Sequence, residues 1–300
     1  MITPSNLKTG DTIGLITPSS PMQSGRLECA IQYFENKGFK VKAGKHVHES
    51  DRFLAGSDKD RADDINRFFL DPSIKAIIAT GGGYGSQRIL PFLDMKIIQE
   101  NPKWLVGFSD TTALQLGILS QTNLVSCTGF SCRDLYNLVV DEQVESTLMN
   151  CLTGKSYSIH EGVMIHPGKV KGKLIGGNLE CLSALIGTPY QPNFKDCILL
   201  IEEVWSEPYK IDSKISQLQL AGIFNEIAGL IWGKFESCDP QHFPDRDGNI
   251  EDIIHDWSNR ISVPSIKNFP YGHQSSRCIL PIGKEVTLDA NQVSIYVEYH

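Results

Sequence analysis

The chain has 300 residues, enough for one large domain or for two domains of ordinary size. Hydrophobic residues make up 41% and charged residues 21%, a composition typical of globular proteins that argues against disorder, coiled coil and collagen. Lys and Arg total 28 and Asp and Glu total 35, and the net charge of −7 opposes a broad nucleic-acid or anionic-membrane surface.

The first 130 residues alternate strand-like and helix-like segments, the pattern of parallel strands joined by crossover helices. Short apolar runs predict strands over 12–17, 39–43, 75–80 and 103–108. Apolar residues at helical spacing predict helices around 27–34, 62–69 and 111–120. We therefore predict an open α/β domain with a parallel sheet of the flavodoxin or Rossmann type over residues 1–130. Its ligand site is expected at the carboxyl ends of the strands.

Periodicity weakens over residues 131–169, and we interpret this segment as a linker or domain crossover. From 170 to 300 strand and helix signals are mixed. They predict a helix that begins at Asn178, a strand over 198–201, a helix over 211–224, a strand over 228–232, a helix over 250–257 and a hairpin of 286–288 with 293–297. This second part is predicted to be a smaller, mixed α/β domain.

Several motifs for cofactors and metals can be rejected. A dinucleotide fingerprint in the glycine-rich stretch 81–85 would need Gly where Arg88 stands, and the Gly-Lys-Ser/Thr of a phosphate-binding loop is absent. The chain has no HExxH pair and no CxxC pair, so no metal and no cofactor are predicted.

The eight cysteines are expected to be reduced, mostly structural thiols, with a disulfide left open. The amino-terminal residues show no signal-peptide pattern, and no apolar run approaches the roughly 18 residues of a membrane span. We therefore expect a cytoplasmic protein with neither membrane nor nucleic-acid partners.

The segment from Trp104 to Thr112 carries the best candidate nucleophile. An apolar strand runs through Gly107 into Ser109, where the chain turns into a helix. A hydroxyl at such a turn lies at the carboxyl edge of the sheet, beside the free amides of a helix amino terminus. The amide of Asp110 would then face the charge of a developing oxyanion. Plain helix capping is the alternative, and on this segment alone it is the commoner outcome.

A serine nucleophile needs a base, and the base needs an orienting carboxylate. The strand over 198–201 ends in Glu202 and Glu203, although both could simply be solvated acids. His273 follows Gly272 in a loop, although a single His is more often structural. What favours a catalytic triad is the conjunction of a serine at a strand-to-helix turn, a strand-end Glu and a loop His, in that chain order.

Five ordered blocks extend this pattern over nearly the whole chain. They are Gly82-Gly-Tyr-Gly-Ser86, Gly107-Phe-Ser-Asp110, Gly176-Gly-Asn-Leu179, Ile201-Glu-Glu-Val204 with Glu207-Pro-Tyr209, and Gly272-His273. Together they resemble the LD-carboxypeptidase family of serine peptidases. That family includes muropeptide LD-carboxypeptidases and the microcin C self-immunity peptidases.

The resemblance implies a role for each member of the triad. Ser109 would be the nucleophile, His273 the general base and Glu202 the carboxylate that orients it. Glu202 is preferred to Glu203 because the catalytic Glu of the family comes first in the acidic pair. Here the pair is Glu-Glu, where Glu-Asp is more usual.

The resemblance also implies an oxyanion hole made of two backbone amides. One would belong to Asp110 and the other to Gly82 or Gly83. Many members of the family carry Arg just before the Gly-Gly-Tyr-Gly turn, where this chain has Gly81. The local loop geometry and any substrate contact of that Arg are therefore open.

The resemblance finally implies a homodimer, two domains with the triad between them, and a small peptide substrate. The expected reaction is hydrolysis of an L,D-peptide bond, with release of D-Ala from a cell-wall tetrapeptide (a muropeptide) that is being recycled. One alternative is an aminoacyl nucleotide as the substrate of the same triad, which a stacking aromatic such as Trp205 would favour. The other is a non-catalytic α/β module whose glycine-rich loop holds a small ligand.

Overall fold

The structure is a computed structural model that describes residues 1–23, 25–138, 140–242, 244 and 246–299. Its strands in chain order are β1 (Thr12–Ile16), β2 (Lys40–Ala43), β3 (Ile74–Ala79), β4 (Trp104–Gly107), β5 (Ser126–Thr128), β6 (Tyr157–His160), β7 (Val163–His166), β8 (Lys169–Asn178), β9 (Ile198–Val204), β10 (Gly229–Glu236), β11 (Ser265–Lys267), β12 (Leu280–Ile282), β13 (Glu285–Asp289) and β14 (Ser294–Val297). Its helices are α1 (Arg26–Asn36), α2 (Asp58–Leu70), α3 (Ser86–Ile89), α4 (Met95–Glu100), α5 (Thr111–Thr122), α6 (Glu142–Thr153), α7 (Leu179–Ser183), α8 (Pro208–Leu220) and α9 (Ile250–Arg260).

The first sheet has six strands in the order β12-β5-β4-β3-β1-β2. The strands β1 to β5 are parallel to their neighbours, and β12 is antiparallel to β5. Successive residues of β3 pack into different apolar clusters, Ile77 into one and its neighbours Ala76 and Ile78 into the other. The sheet is therefore covered on both faces, as parallel sheets require.

The second sheet has eight strands in the order β6-β14-β13-β8-β9-β10-β11-β7. Its centre, β8 to β11, is parallel, and its outer strands are antiparallel. The predicted hairpin is confirmed as β13 and β14. The predicted fold class, a parallel-sheet α/β part followed by a mixed α/β part, is also confirmed.

Some elements lie across the expected division of the chain. The strand β12 comes from the carboxyl-terminal part but joins the first sheet, while β6, β7 and α6 fall within 131–169. The division into 1–130, 131–169 and 170–300 stays a proposal.

Helix α5 connects the two sheets. Almost all of its residues are buried, including the polar side chains of Thr112 and Gln115. A helix that is apolar on all sides is a buried one. Accordingly, α5 packs against β4 and β5 of the first sheet and against β8 of the second, as well as against α7. Its amino terminus is thereby held beside the carboxyl ends of β8 and β9.

The expectation of reduced cysteines is wrong for one pair. Cys127 of β5 and Cys151 of α6 form a disulfide, whereas the other cysteines are free. These two residues meet because α6 packs against β5, and the spacing of cysteines along the chain does not indicate such packing. Among the described residues, no helix combines the length and the apolar character that crossing a membrane requires.

Candidate active site

Ser109 occupies the sharp turn between β4 and α5. Its backbone φ is +64°, in the left-handed region that residues other than glycine rarely adopt. The turn is tight, since a Cβ on Gly107 would lie 2.3 Å from Thr111 Oγ1. The residue at the amino-terminal cap of α5 is Asp110, and no side chain caps the helix there. The hydroxyl of Ser109 therefore does not act as a helix cap, and is available for another partner.

That partner is His273. Its Nε2 lies 3.0 Å from Ser109 Oγ, and its Nδ1 lies 2.8 Å from Glu202 Oε2. Glu202 is completely buried on β9, at 0% exposure. With the Nδ1 proton donated to the carboxylate, Nε2 is free to accept the proton of the serine hydroxyl. The structure thus brings the three predicted residues into one hydrogen-bonded chain.

The adjacent Glu203 has different partners. Its Oε1 accepts from Asn178 Nδ2 at 2.8 Å and from the amide of Val204 at 2.9 Å, while its Oε2 accepts from the amide of Glu180 at 2.9 Å. Burial raises the pKa of the Glu203 carboxyl, and the hydrogen bonds oppose this shift. Glu203 therefore holds the end of β9 against the start of α7 and does not contact the histidine.

Asn178, which the sequence indicated only as a helix start, links both acids. Its Nδ2 also lies 3.2 Å from Glu202 Oε1, and its backbone amide donates to Thr112 Oγ1 at 3.2 Å. Its Oδ1 accepts from the amide of Cys181 and caps α7. The contact with Thr112 joins the carboxylates to α5, the helix that follows Ser109.

The glycine-rich loop lies directly against Ser109. A Cβ on Gly82 would be 2.8 Å from Ser109 Cβ and 3.1 Å from the carbonyl oxygen of Phe108, so only glycine fits there. In the described part of the chain, the amides of Asp110, Gly82 and Gly83 donate to no protein acceptor. They are free to bind an oxygen of a ligand.

The side chain of Asp110 holds this loop in place, a role that the sequence did not predict. Its carboxylate accepts from the amides of Gly85 and Ser86 at 3.1 and 2.8 Å and from Ser19 Oγ at 2.5 Å. The hydroxyl of Ser86 returns a hydrogen bond of 2.5 Å to the carbonyl oxygen of Asp110. One acidic residue therefore couples the glycine-rich loop to the turn that carries Ser109.

Two further residues support the histidine without any signal in the sequence. The ring centroid of Phe108 lies 4.5 Å from that of His273, and the guanidinium carbon of Arg277 lies 4.6 Å from the Phe108 ring. Arg277 is buried, and its Nε donates to the carbonyl oxygen of Gly129 at 2.6 Å.

These side chains surround a cleft of about 610 Å³ at the carboxyl ends of β4 and β9. Ser109, His273, Gly82 and Gly83 line it, and so does Trp205, whose side chain is 77% exposed. In the described residues, no group of three or more His, Cys, Asp or Glu side chains is arranged to hold a metal ion. The arrangement is suited to acyl transfer through a serine.

Comparisons with known proteins match the amino-terminal and the carboxyl-terminal part of the chain to the same family. Residues 13–129 match the LD-carboxypeptidase N-terminal domain, and residues 171–288 match the LD-carboxypeptidase C-terminal domain. A probable murein peptide carboxypeptidase of Bacillus subtilis (strain 168) is 30% identical over 300 residues, which cover 98% of this chain and 94% of that protein. The murein tetrapeptide carboxypeptidase of Pseudomonas aeruginosa is 28% identical over 294 residues, 94% of each chain. A solved structure of the microcin C7 self-immunity protein MccF superposes with a TM-score of 0.92 at 26% identity, covering 100% of this chain and 99% of that one.

Proposed function

The chain belongs to the LD-carboxypeptidase family, and we propose that it is a serine carboxypeptidase whose triad is Ser109, His273 and Glu202. One observation carries this proposal. The three side chains, which are up to 164 residues apart in sequence, form a hydrogen-bonded chain at a single cleft, through contacts of 3.0 and 2.8 Å. This is the order of nucleophile, base and orienting carboxylate that serine peptidases use.

Acylation begins when Ser109 Oγ attacks the carbonyl carbon of the scissile bond and its proton passes to His273 Nε2. Glu202 keeps the Nδ1 proton and stabilises the imidazolium that forms. The oxyanion accepts hydrogen bonds from the amide of Asp110 and from that of Gly82 or Gly83. As the C–N bond breaks, His273 returns its proton to the departing amine. A water molecule, deprotonated by the same nitrogen, then attacks the acyl-enzyme and restores the serine.

The scissile bond is an L,D-peptide bond, and the amine released is a terminal D-amino acid. We assign D-Ala of a muropeptide tetrapeptide as this residue, because curated relatives bear the names murein peptide carboxypeptidase and murein tetrapeptide carboxypeptidase. On the family resemblance alone, we also propose a homodimer and a cytoplasmic location. Light scattering of the purified protein and fractionation of cells test these two points.

The test of the activity is to replace Ser109 by Ala and to measure release of D-Ala from the tetrapeptide. We expect the rate to fall by a factor on the order of 10³ or more. Ser120→Ala is the matched control, since Ser120 lies on α5 with its hydroxyl bonded to the carbonyl oxygen of Gly117, and it should leave turnover unchanged. Undiminished turnover in Ser109→Ala would end the proposal. A reactive-serine probe that labels the wild type at Ser109 separates an enzyme from a binding module.

A second substrate class is favoured by Trp205. This aromatic ring lines the cleft and is largely exposed, so it offers a face on which a nucleobase can stack. Structurally similar MccF has been solved in complex with glutamyl sulfamoyl guanosine and with aspartyl sulfamoyl adenosine, which is consistent with an aminoacyl nucleotide as the substrate of the same triad. Incubating the protein with the tetrapeptide and with an aminoacyl nucleotide, and comparing kcat/KM, decides between them.

A further inference from the structure

Among the described residues, one cationic side chain that lines the cleft has no acidic partner. Four cationic side chains line it in the part of the chain that the structure describes: Arg133, Lys210, Lys214 and Arg277. Three of them form ion pairs: Arg277 with Asp134 at 2.6 Å, Lys214 with Glu180 at 2.7 Å, and Lys210 with Glu207 at 3.7 Å. Among the described residues, Arg133 has neither an ion pair nor a hydrogen-bonded side-chain partner. Its charge is available to a ligand.

The segment that carries Arg133 is held over the cleft by the next residue. The carboxylate of Asp134 accepts from the amide of Ser131 at 2.9 Å, and Arg277 Nη2 donates to both of its oxygens at 2.6 and 2.7 Å. Because Arg277 also contacts Phe108, this anchor extends to the ring that lies beside His273. The backbone at Arg133 is therefore fixed relative to the triad.

The side chains of Arg133 and Ser109 lie against two neighbouring glycines of the glycine-rich loop. A Cβ on Gly81 would lie 3.0 Å from Arg133 Nε, and a Cβ on Gly82 would lie 3.2 Å from Ser109 Oγ. Arg133 and Ser109 therefore contact two consecutive residues, whose Cα atoms are about 3.8 Å apart. Both Arg133 and Ser109 line the same cleft.

The electrostatic surroundings of Arg133 favour an anion. Partial desolvation lowers the pKa of its guanidinium, the charge of Arg26 lowers it further, and Asp134, already paired with Arg277, opposes this shift only in part. A guanidinium remains charged under such conditions and binds a carboxylate through two parallel hydrogen bonds. A carboxylate at this position would compensate the charge that the protein leaves uncompensated.

We propose that Arg133 binds the free α-carboxylate of the terminal D-amino acid that the reaction releases. The proposal rests on the carboxypeptidase function proposed above. The carboxylate carbon of a terminal residue is two bonds from the scissile nitrogen, so its binding site must lie within about one residue length of the nucleophile. Arg133 lies against Gly81, next to the Gly82 that packs on Ser109, so it is placed on the cleft wall where such a carboxylate would bind and would allow the cleft to distinguish a chain end from an internal peptide bond.

The test compares two peptides that differ only at the end. One is the tetrapeptide with a free D-Ala carboxylate, and the other is the same peptide ending in D-Ala carboxamide. Removing the charge with Arg133→Met should lower kcat/KM for the free carboxylate by a factor of about 10 to 100, and should change that for the carboxamide by less than about twofold. Arg133→Lys, which keeps the charge but not the planar fork, should fall between the two. The matched control is Arg67→Met, because Arg67 lies on α2, pairs with Asp63 at 2.7 Å and does not line the cleft.

The outcomes separate this inference from the proposed function. Equal losses on both peptides, or no loss on either, would overturn the role of Arg133 while leaving a carboxypeptidase that depends on Ser109. If the wild-type protein releases nothing from either peptide, both proposals fail, since the carboxylate in question belongs to that substrate. A loss confined to the free carboxylate, with the melting temperature unchanged, supports the inference.

Discussion

Glu202 and Glu203 allow a sharp test of the triad, because the two acids are adjacent, chemically identical and both buried at the end of β9. We predict that Glu202→Gln lowers kcat by a factor of about 10⁴. The contact at stake is the 2.8 Å hydrogen bond to His273 Nδ1. A Gln amide that donates to Nδ1 leaves the proton on Nε2, and in that tautomer the ring cannot accept the proton of Ser109. Without the negative charge, the imidazolium also loses its stabilisation.

Glu203→Gln should instead affect folding. The Glu203 carboxylate accepts three hydrogen bonds, two from backbone amides and one from Asn178. Gln can replace only one of the two oxygens, so at least one N–H donor faces an NH₂ group. We expect the free energy of unfolding to fall by about 1 to 3 kcal/mol. Because Glu203 does not contact His273, kcat should stay within about tenfold of the wild type.

Two measurements on each of the two purified variants test these predictions. Release of D-Ala from the tetrapeptide at saturating substrate reports kcat, and urea denaturation reports the free energy of unfolding. The role of Glu202 is refuted if Glu202→Gln retains kcat within tenfold of the wild type. It is equally refuted if Glu203→Gln loses as much activity as Glu202→Gln while its stability is unchanged.

Two further predictions concern the glycine-rich loop and a buried lysine. Gly82→Ala places a methyl group 2.8 Å from Ser109 Cβ, so kcat for D-Ala release should fall by about a hundredfold or more. An activity equal to that of the wild type would show that the loop is not packed against the nucleophile. Burial lowers the pKa of Lys103 from 10.5 to about 8. Between pH 8 and pH 10.5 the unfolded chain therefore binds more protons than the folded one. The contribution of Lys103 to the free energy of unfolding rises over this pH range by up to about 3 kcal/mol. Urea denaturation at pH 7.5 and pH 10 should therefore show the stability of Lys103→Met, relative to the wild type, falling as pH rises, and a pH-independent difference would contradict the shift.

Apolar periodicity was sufficient for the long or central elements. The strands β1 to β4 and the hairpin of β13 and β14 lie where the pattern indicated, because buried strands need continuous apolar runs and half-buried ones need alternation. The short strands β5 and β12 were not predicted. They have three residues each, and β12 joins the sheet by pairing with β5, a contact over about 150 residues that no local pattern contains.

In the site, too, features formed by neighbouring residues were predictable and contacts between distant segments were not. The turn at Ser109 was predictable, since an apolar strand, a glycine and a helix start are neighbours in sequence. The preference for Glu202 over Glu203 came from the family resemblance, not from the residues. The roles of Asn178 and Asp110 as links between segments were missed, because each depends on partners brought close by the packing of α5.

Apolar spacing along the chain was sufficient for the α/β class, and the ordered blocks of residues were sufficient for the family and for the three candidate residues. The residues alone left both acids open, and the folded arrangement shows that Glu202 contacts the imidazole and that, among the described residues, Arg133 is the cation of the cleft without an acidic partner. A strand turns successive side chains to opposite sides, so Glu202 and Glu203 share Asn178 but otherwise have different partners, and the path of the distant loop with His273 selects Glu202. Charge pairing in the cleft depends likewise on segments that are remote in sequence, as the pairing of Arg277 with Asp134 across 143 residues shows.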